Sequence, residues 1–161
     1  MEIALEAARE GGHETRVLSA RKLKVQPCVA CMGCKRGPKC IVHDDMNQVY
    51  AAIARCDALL VATPIYYYGA SAWLKAIVDR TYGLLDKDSK SRVPAGKRLY
   101  LITTQEDEDP EDGAIVVRQL ERAFDWLGMV PSGALIATRL KGPSDYQQRP
   151  DLLEAAAALL P

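Results

Sequence analysis

With 161 residues, 48% of them apolar and 26% charged, the chain has the composition of one soluble globular domain with a single core. Its 21 Lys and Arg balance 21 Asp and Glu, which argues against a nucleic-acid surface or a patch for anionic membranes, and no apolar run approaches the roughly 20 residues of a membrane span. The acidic start MEIALEAARE has neither the basic nor the apolar region of a secretory signal, and an odd count of five cysteines argues against a secreted disulfide framework. The cytoplasm is then the default compartment, where clustered thiols bind metal or do redox work.

Residues 2–10 are rich in Ala, Leu and Glu and read as a helix that Gly11-Gly12 stops. Residues 14–19 alternate and read as a strand. Residues 26–41 hold four cysteines, two prolines and two glycines and read as a loop. Asp45 has the position of a helix N-cap with Gln48 at capping-box spacing, and Met46, Val49, Tyr50 and Ile53 then share one helical face. Residues 58–63 form a short apolar run, as a strand buried on both faces does, ending at Pro64 before the loop Ile65 to Gly69. Ser71 can cap the next helix, with Leu74, Ile77, Val78 and Leu85 on one side.

Residues 86–97 are polar and loop-like, 98–104 read as another strand, and every residue from Glu106 to Asp112 except Pro110 is acidic. A helix follows, with Val116, Leu120, Ala123, Phe124 and Leu127 facing the core and Gly128 ending it. Residues 130–138 read as a weaker strand and 151–160 as a final helix. Alternation of this kind predicts one α/β domain over residues 1–161, a doubly wound parallel sheet in three layers with helices on both faces. The cysteine loop 27–41 is inserted between the second strand of that fold and the helix after it.

Two segments carry chemistry. Cys28, Cys31, Cys34 and Cys40 have the spacing C-x2-C-x2-C-x5-C. Three thiolates two residues apart can wrap three corners of a [4Fe–4S] cubane, with the fourth looping back. Gly33, Gly37 and Pro38 permit the tight backbone this requires. Free or redox-active thiols and a zinc site are the other readings, although structural zinc more often uses two knuckles a dozen or more residues apart. Lys35, Arg36 and Lys39 place positive charge beside the thiols, which would stabilise thiolates and a negative cluster and attract an acidic electron carrier. Cys56 reads as a buried core thiol, and His13 and His43 as solvated.

The second segment is Thr63-Pro64-Ile65-Tyr66-Tyr67-Tyr68-Gly69, at the carboxyl end of a strand, where open α/β sheets bind ligands. Flat tyrosine faces suit a ring system while loop N–H groups meet its polar edge; a lid or subunit contact is the plainer use. The acidic loop reads as solvated, with docking of a basic partner as its alternative. Lys75, Asp79 and Arg80 read as structural, Lys75 and Asp79 being at pairing distance on a helix.

Taken in order, the cysteine loop, Asp44-Asp45-Met46, Cys56-Asp57-Ala58, Thr63-Pro64-Ile65-Tyr66 and Lys75-Ala-Ile-Val-Asp79-Arg80 resemble the NADPH-dependent FMN reductase superfamily, and within it the iron–sulfur flavoprotein branch. The resemblance covers about residues 1–140 and implies a flavodoxin-like fold. It implies FMN with its ring held by Pro64, Ile65, Tyr66, Tyr67, Tyr68 and Gly69, helped by Thr103, Thr104 and Gln105. It further implies an iron–sulfur cluster on Cys28, Cys31, Cys34 and Cys40, NAD(P)H or a ferredoxin-type donor, a small acceptor such as a quinone, and a homodimer or homotetramer in which a neighbour helps enclose the flavin. No catalytic side chain is assigned.

The flavodoxin-like order 2-1-3-4-5 normally begins with a strand, and this chain begins with a helix. The expectation is therefore a fold lacking its first strand and the phosphate-binding loop after it, with Met1 an internal start set by a gene model that begins late. A chain that is naturally this short would need a partner, a swapped strand or a rearranged sheet. The function expected is an FMN-dependent oxidoreductase or electron-transfer flavoprotein. A non-catalytic flavodoxin-like module with zinc-binding or free cysteines is the alternative.

Overall fold

The computed structural model describes residues 1–160. Helix α1 spans Glu2–Glu10 and stops at Gly11 and Gly12, the latter at φ +87°. A long irregular segment with a turn at residues 19–23 leads to a single helical turn, α2 (Gly33–Arg36), inside the cysteine loop. Helix α3 (Met46–Arg55) precedes strand β1 (Ala58–Tyr66), which turns back into the two-residue strand β2 (Gly69–Ala70) and then helix α4 (Ala72–Arg80). Strand β3 (Arg98–Thr104), helix α5 (Glu111–Asp125), strand β4 (Val130–Ala137) and helix α6 (Pro150–Ala157) complete the described order.

The sheet runs β2-β1-β3-β4. β1, β3 and β4 are parallel, in register Val61↔Leu101↔Ala134, and β2 pairs antiparallel with the end of β1. Between Leu99 and Tyr100 the β3–β4 register slips by one residue at Ser132, next to Pro131, which has no N–H to give a ladder. β3 is the fully enclosed strand, buried from Leu99 to Thr103.

Odd-numbered residues of β1 and β3 meet the apolar faces of α3, α4 and α5 in one core, built from Val61, Leu99 and Leu101 with Met46, Leu74, Val116, Leu120 and Phe124. On the other face α1 packs against α6, burying Ala4, Ala8 and Ala156, and Tyr100 is buried on that side beside Leu159. Each helix buries one stripe because its apolar residues recur at three- and four-residue spacing.

Five expectations need correction. Residues 14–19 form no strand; alternation selects a strand only where a neighbour supplies hydrogen bonds, and none lies beside them among the described residues. β1 does not end at Thr63 but continues through Tyr66. It is not buried on both faces: Leu59, Leu60 and Ala62 keep part of their surface, because along residues 58–64 only β3 pairs with it. Cys56 is half-exposed, with its thiol donating to the Ile53 carbonyl oxygen at 3.6 Å, and burial raises its pKa. Asp45 does not cap α3 through its side chain; its carboxylate accepts from the Lys24 N–H (2.8 Å) and from the Gln48 amide (3.0 Å). Asp44 takes the first-turn donor instead, accepting from the Met46 N–H at 3.1 Å.

Candidate functional site

The cysteine loop has no regular element except α2, and it turns through Ala30 (φ +52°) and Met32 (φ +57°), two left-handed residues that flank Cys31. Cys28 and Cys31 are exposed, Cys34 and Cys40 half-buried. All four line one cavity of about 670 Å³, together with Gln119, Arg122 and Ala123 of α5 and Trp126 and Leu127 just after it. Among the described residues no three His, Cys, Asp or Glu side chains converge to metal-ligand distance. Four soft thiol donors on one shared cavity, on a backbone already turned left-handed between them, fit an iron–sulfur group in ligand chemistry.

The basic residues of the loop also anchor its backbone. Lys35 Nζ donates to the carbonyl oxygens of Tyr82 (3.0 Å) and Leu85 (2.8 Å) and sits 3.6 Å from the Tyr82 ring centroid. Burial brings its pKa below the ordinary lysine value. Arg36 donates to the Cys31 carbonyl oxygen (3.1 Å). Arg92, which the sequence did not single out, donates to the carbonyl oxygens of Gly83, Cys34 and Gly37. Lys35 and Arg92 thus knit the loop to residues 82–85, and Lys39 is exposed and makes no hydrogen bond or ion pair among the described residues.

The roots of the loop meet on Arg80, at the end of α4. Its guanidinium is 2% exposed and pairs bidentately with Asp44, itself 6% exposed, at 2.9 and 3.1 Å. It also donates to the Gln26 carbonyl oxygen (2.9 Å), while the Gln26 N–H donates back to Asp44 (2.9 Å). Burial works to raise the Asp44 pKa, but hydrogen bonds from Arg80, Gln26 and Met46 outweigh it and hold the carboxyl below its usual range. Tyr50, which the sequence placed only on the apolar face of α3, donates its hydroxyl to the Arg80 carbonyl oxygen (2.7 Å). Burial and the Cys40 thiol push the Tyr50 pKa up to about 12. Gly83 is required here: a Cβ on it would lie 2.7 Å from the Tyr50 hydroxyl and 3.7 Å from Cys40 Cβ.

The tyrosine segment is a β-hairpin. Tyr66 pairs with Gly69 and Ile65 with Ala70, so Tyr67 and Tyr68 occupy the two central turn positions, at φ +49° and +63°. Two successive left-handed residues define the turn geometry that normally takes Asn-Gly. Tyr67 is 97% exposed, and its ring meets that of Tyr68 edge-on at 5.8 Å. The base is firm: the buried Thr63 hydroxyl accepts from the Ser71 N–H (3.1 Å), and Ser71 Oγ caps α4 by accepting from the Leu74 N–H (3.4 Å).

Ile65, Tyr67, Tyr68 and Gln105 line a second cavity of about 860 Å³ with Glu106, Asp107, Glu108, Asp112, Arg139 and Lys141. It lies at the carboxyl ends of β1, β3 and β4, where the fold leaves room for a ligand. Pro64, Tyr66, Gly69, Thr103 and Thr104 are not on its wall. Thr103 is fully buried instead, and a Cβ on Gly113 of α5 would lie 2.8 Å from its Oγ1. The aromatic rim fits the ring part of a flavin. The two cations of this cavity are each paired with a glutamate, Arg139 with Glu108 (2.6 Å) and Lys141 with Glu106 (3.7 Å), so they offer a phosphate no free positive charge.

Sheet order, parallel register and a cavity at the carboxyl ends of the strands define a flavodoxin-like α/β domain with a four-stranded, mostly parallel sheet. The chain belongs to the NADPH-dependent FMN reductase family, whose profile matches residues 1–139. It is similar to an iron–sulfur flavoprotein of Methanosarcina thermophila, with 35% identity over 96 residues, 60% of this chain and 50% of that protein. The chain thus spans about half the length of that relative. It also resembles the solved structure of the Trp repressor binding protein from Bacillus subtilis (TM-score 0.62, 29% identity, 74% of this chain and 73% of the other). In fold it resembles the NAD(P)H:quinone oxidoreductase from Methanothermobacter marburgensis (TM-score 0.70, 20% identity, 97% and 82%).

Proposed function

We propose that this chain is the flavin and iron–sulfur part of an FMN-dependent oxidoreductase that passes electrons between NAD(P)H or a ferredoxin-type donor and a small acceptor such as a quinone. The observation that carries the reading is that four cysteines at cluster-like spacing line one cavity in a chain of the FMN reductase family. A bound flavin would supply one- and two-electron chemistry, which the protein directs by orientation and electrostatics.

Cys28, Cys31, Cys34 and Cys40 are the residues to hold the cluster. Tyr67 and Tyr68 contribute aromatic surface and Ile65 apolar surface to the lining of the second cavity. Four carboxylates against two cations leave that cavity net negative, which disfavours anionic acceptors beside the ring and favours neutral ones. The phosphate of FMN must be held by groups other than those of this cavity. The reading includes a homodimer or homotetramer, in which a neighbour would cover aromatic side chains such as Trp73 and Trp126, each more than half exposed.

Anaerobic purification followed by an absorbance spectrum tests the proposal. A flavin spectrum with a broad iron–sulfur shoulder is expected. A colourless protein holding neither iron nor FMN contradicts it, and zinc without iron favours the non-catalytic alternative.

A further inference from the structure

We infer that Arg80 is a positioning residue for the cysteine site: it joins both roots of the cysteine loop and so sets where the four thiols stand. The inference rests on the reading of those cysteines as ligands of one group. Gln26 lies two residues before Cys28 and Asp44 four residues after Cys40. Arg80 binds both, and they bind each other, through four hydrogen bonds of 2.9–3.1 Å. A loop whose ends are pinned together loses most of its freedom before any ligand is bound, and the cost of ordering the thiols falls accordingly. Lysine has no planar fork and cannot span a carboxylate and a carbonyl in this way.

A second feature separates Arg80 from a merely structural cation. Its Nε is buried without a protein acceptor, and Arg80 is itself part of the wall of the cysteine cavity. Buried donors are ordinarily satisfied, and a residue that both lines the cavity and keeps an unpartnered donor has one left for a group bound there. Thiolate or sulfide sulfur is an acceptor of the right kind, and hydrogen bonds to such sulfur raise the reduction potential of the group that carries it.

The test uses the full chain as wild type, Arg80→Lys and Asp44→Asn, each both metal-free and anaerobically reconstituted with iron and sulfide. In the metal-free chains, amide exchange over residues 24–47 is expected to quicken about tenfold in both variants while residues 98–104 keep their protection. In the loaded chains, Arg80→Lys is expected to retain iron, with a more negative reduction potential and an altered EPR line shape. Unchanged exchange in folded variants overturns the inference, as does an unchanged potential in an iron-loaded Arg80→Lys. If the wild type takes up no iron, the functional proposal fails, and exchange alone decides the role of Arg80. If Arg80→Lys does not fold, the near-isosteric Asp44→Asn carries the exchange comparison.

Discussion

The cysteine loop and the tyrosine hairpin leave the same framework of sheet and helices but are held in opposite ways. The loop is long and its tips are exposed, yet its roots are fixed by a buried ion pair, its Lys35 is anchored on the Tyr82 and Leu85 carbonyls, and its Cys34 and Gly37 carbonyls are held by Arg92. The hairpin is short, paired at only two positions, and its turn stores strain in two left-handed tyrosines. A site that must hold several ligands at once gains from a fixed base, because every ordered thiol costs entropy. A surface that covers a flat ring needs aromatic area at the tip, and here that area occupies positions better suited to Asn and Gly.

The largest expected effect comes from breaking the base of the loop. Asp44→Ala leaves the Arg80 guanidinium buried without its carboxylate and should cost about 3–5 kcal/mol, read from urea or guanidinium midpoints. The same pair has an acid limit. The folded pKa of Asp44 lies below its reference value of 3.8, so its contribution is complete above that pH and is lost as pH falls through the folded value. Asp44→Asn should therefore flatten this part of the acid dependence, and an unchanged acid limb in stability measurements would show that other carboxylates dominate.

Under the second cavity, Gly113→Ala should cost about 1–3 kcal/mol by overpacking. Its Cβ would clash with Ile136 Cγ2 and lie 2.8 Å from both Gln105 Oε1 and Thr103 Oγ1. Thermal unfolding reads this directly, and a neutral result would mean the packing between β3 and α5 is looser than described. At the hairpin the sign reverses. Tyr67→Asn with Tyr68→Gly should stabilise the fold by about 1 kcal/mol, because the turn no longer holds bulky residues left-handed, while FMN titration by fluorescence should show weaker binding. The smallest effect belongs to the exposed Lys75–Asp79 pair, 2.6 Å apart: Lys75→Ala should change stability by about 0.3–0.5 kcal/mol at most.

Much of this molecule is legible from local pattern. The helices at 46–55 and 111–125 follow from apolar spacing, and the cap at Ser71 and the stop at Gly128 follow from residue type. The strand expected at 14–19 shows where local pattern stops, since alternation says which face a residue takes but not whether a neighbour exists. The hairpin was hidden because Tyr-Tyr is not a turn signal, so the run from Pro64 to Gly69 looked like an open loop.

The clasp of Gln26, Asp44 and Arg80 was half visible. Asp44 and Arg80 both stand in motifs that the family resemblance brought out, but two residues 36 apart pair only once α4 is laid across the start of α3. Lys35 and Arg36 were legible as charges, but their use on carbonyl oxygens depends on where the loop folds, which composition does not encode. The four cysteines were found by spacing alone, and the structure adds that they share one cavity.

The most direct test of the central claim is to determine iron, acid-labile sulfide and FMN on one anaerobically reconstituted sample of the full chain. The account predicts about four irons with matching sulfide per chain and FMN bound in the same sample, with iron lost on changing Cys34 to Ser. Zinc in place of iron, or iron retained equally well without Cys34, would contradict it.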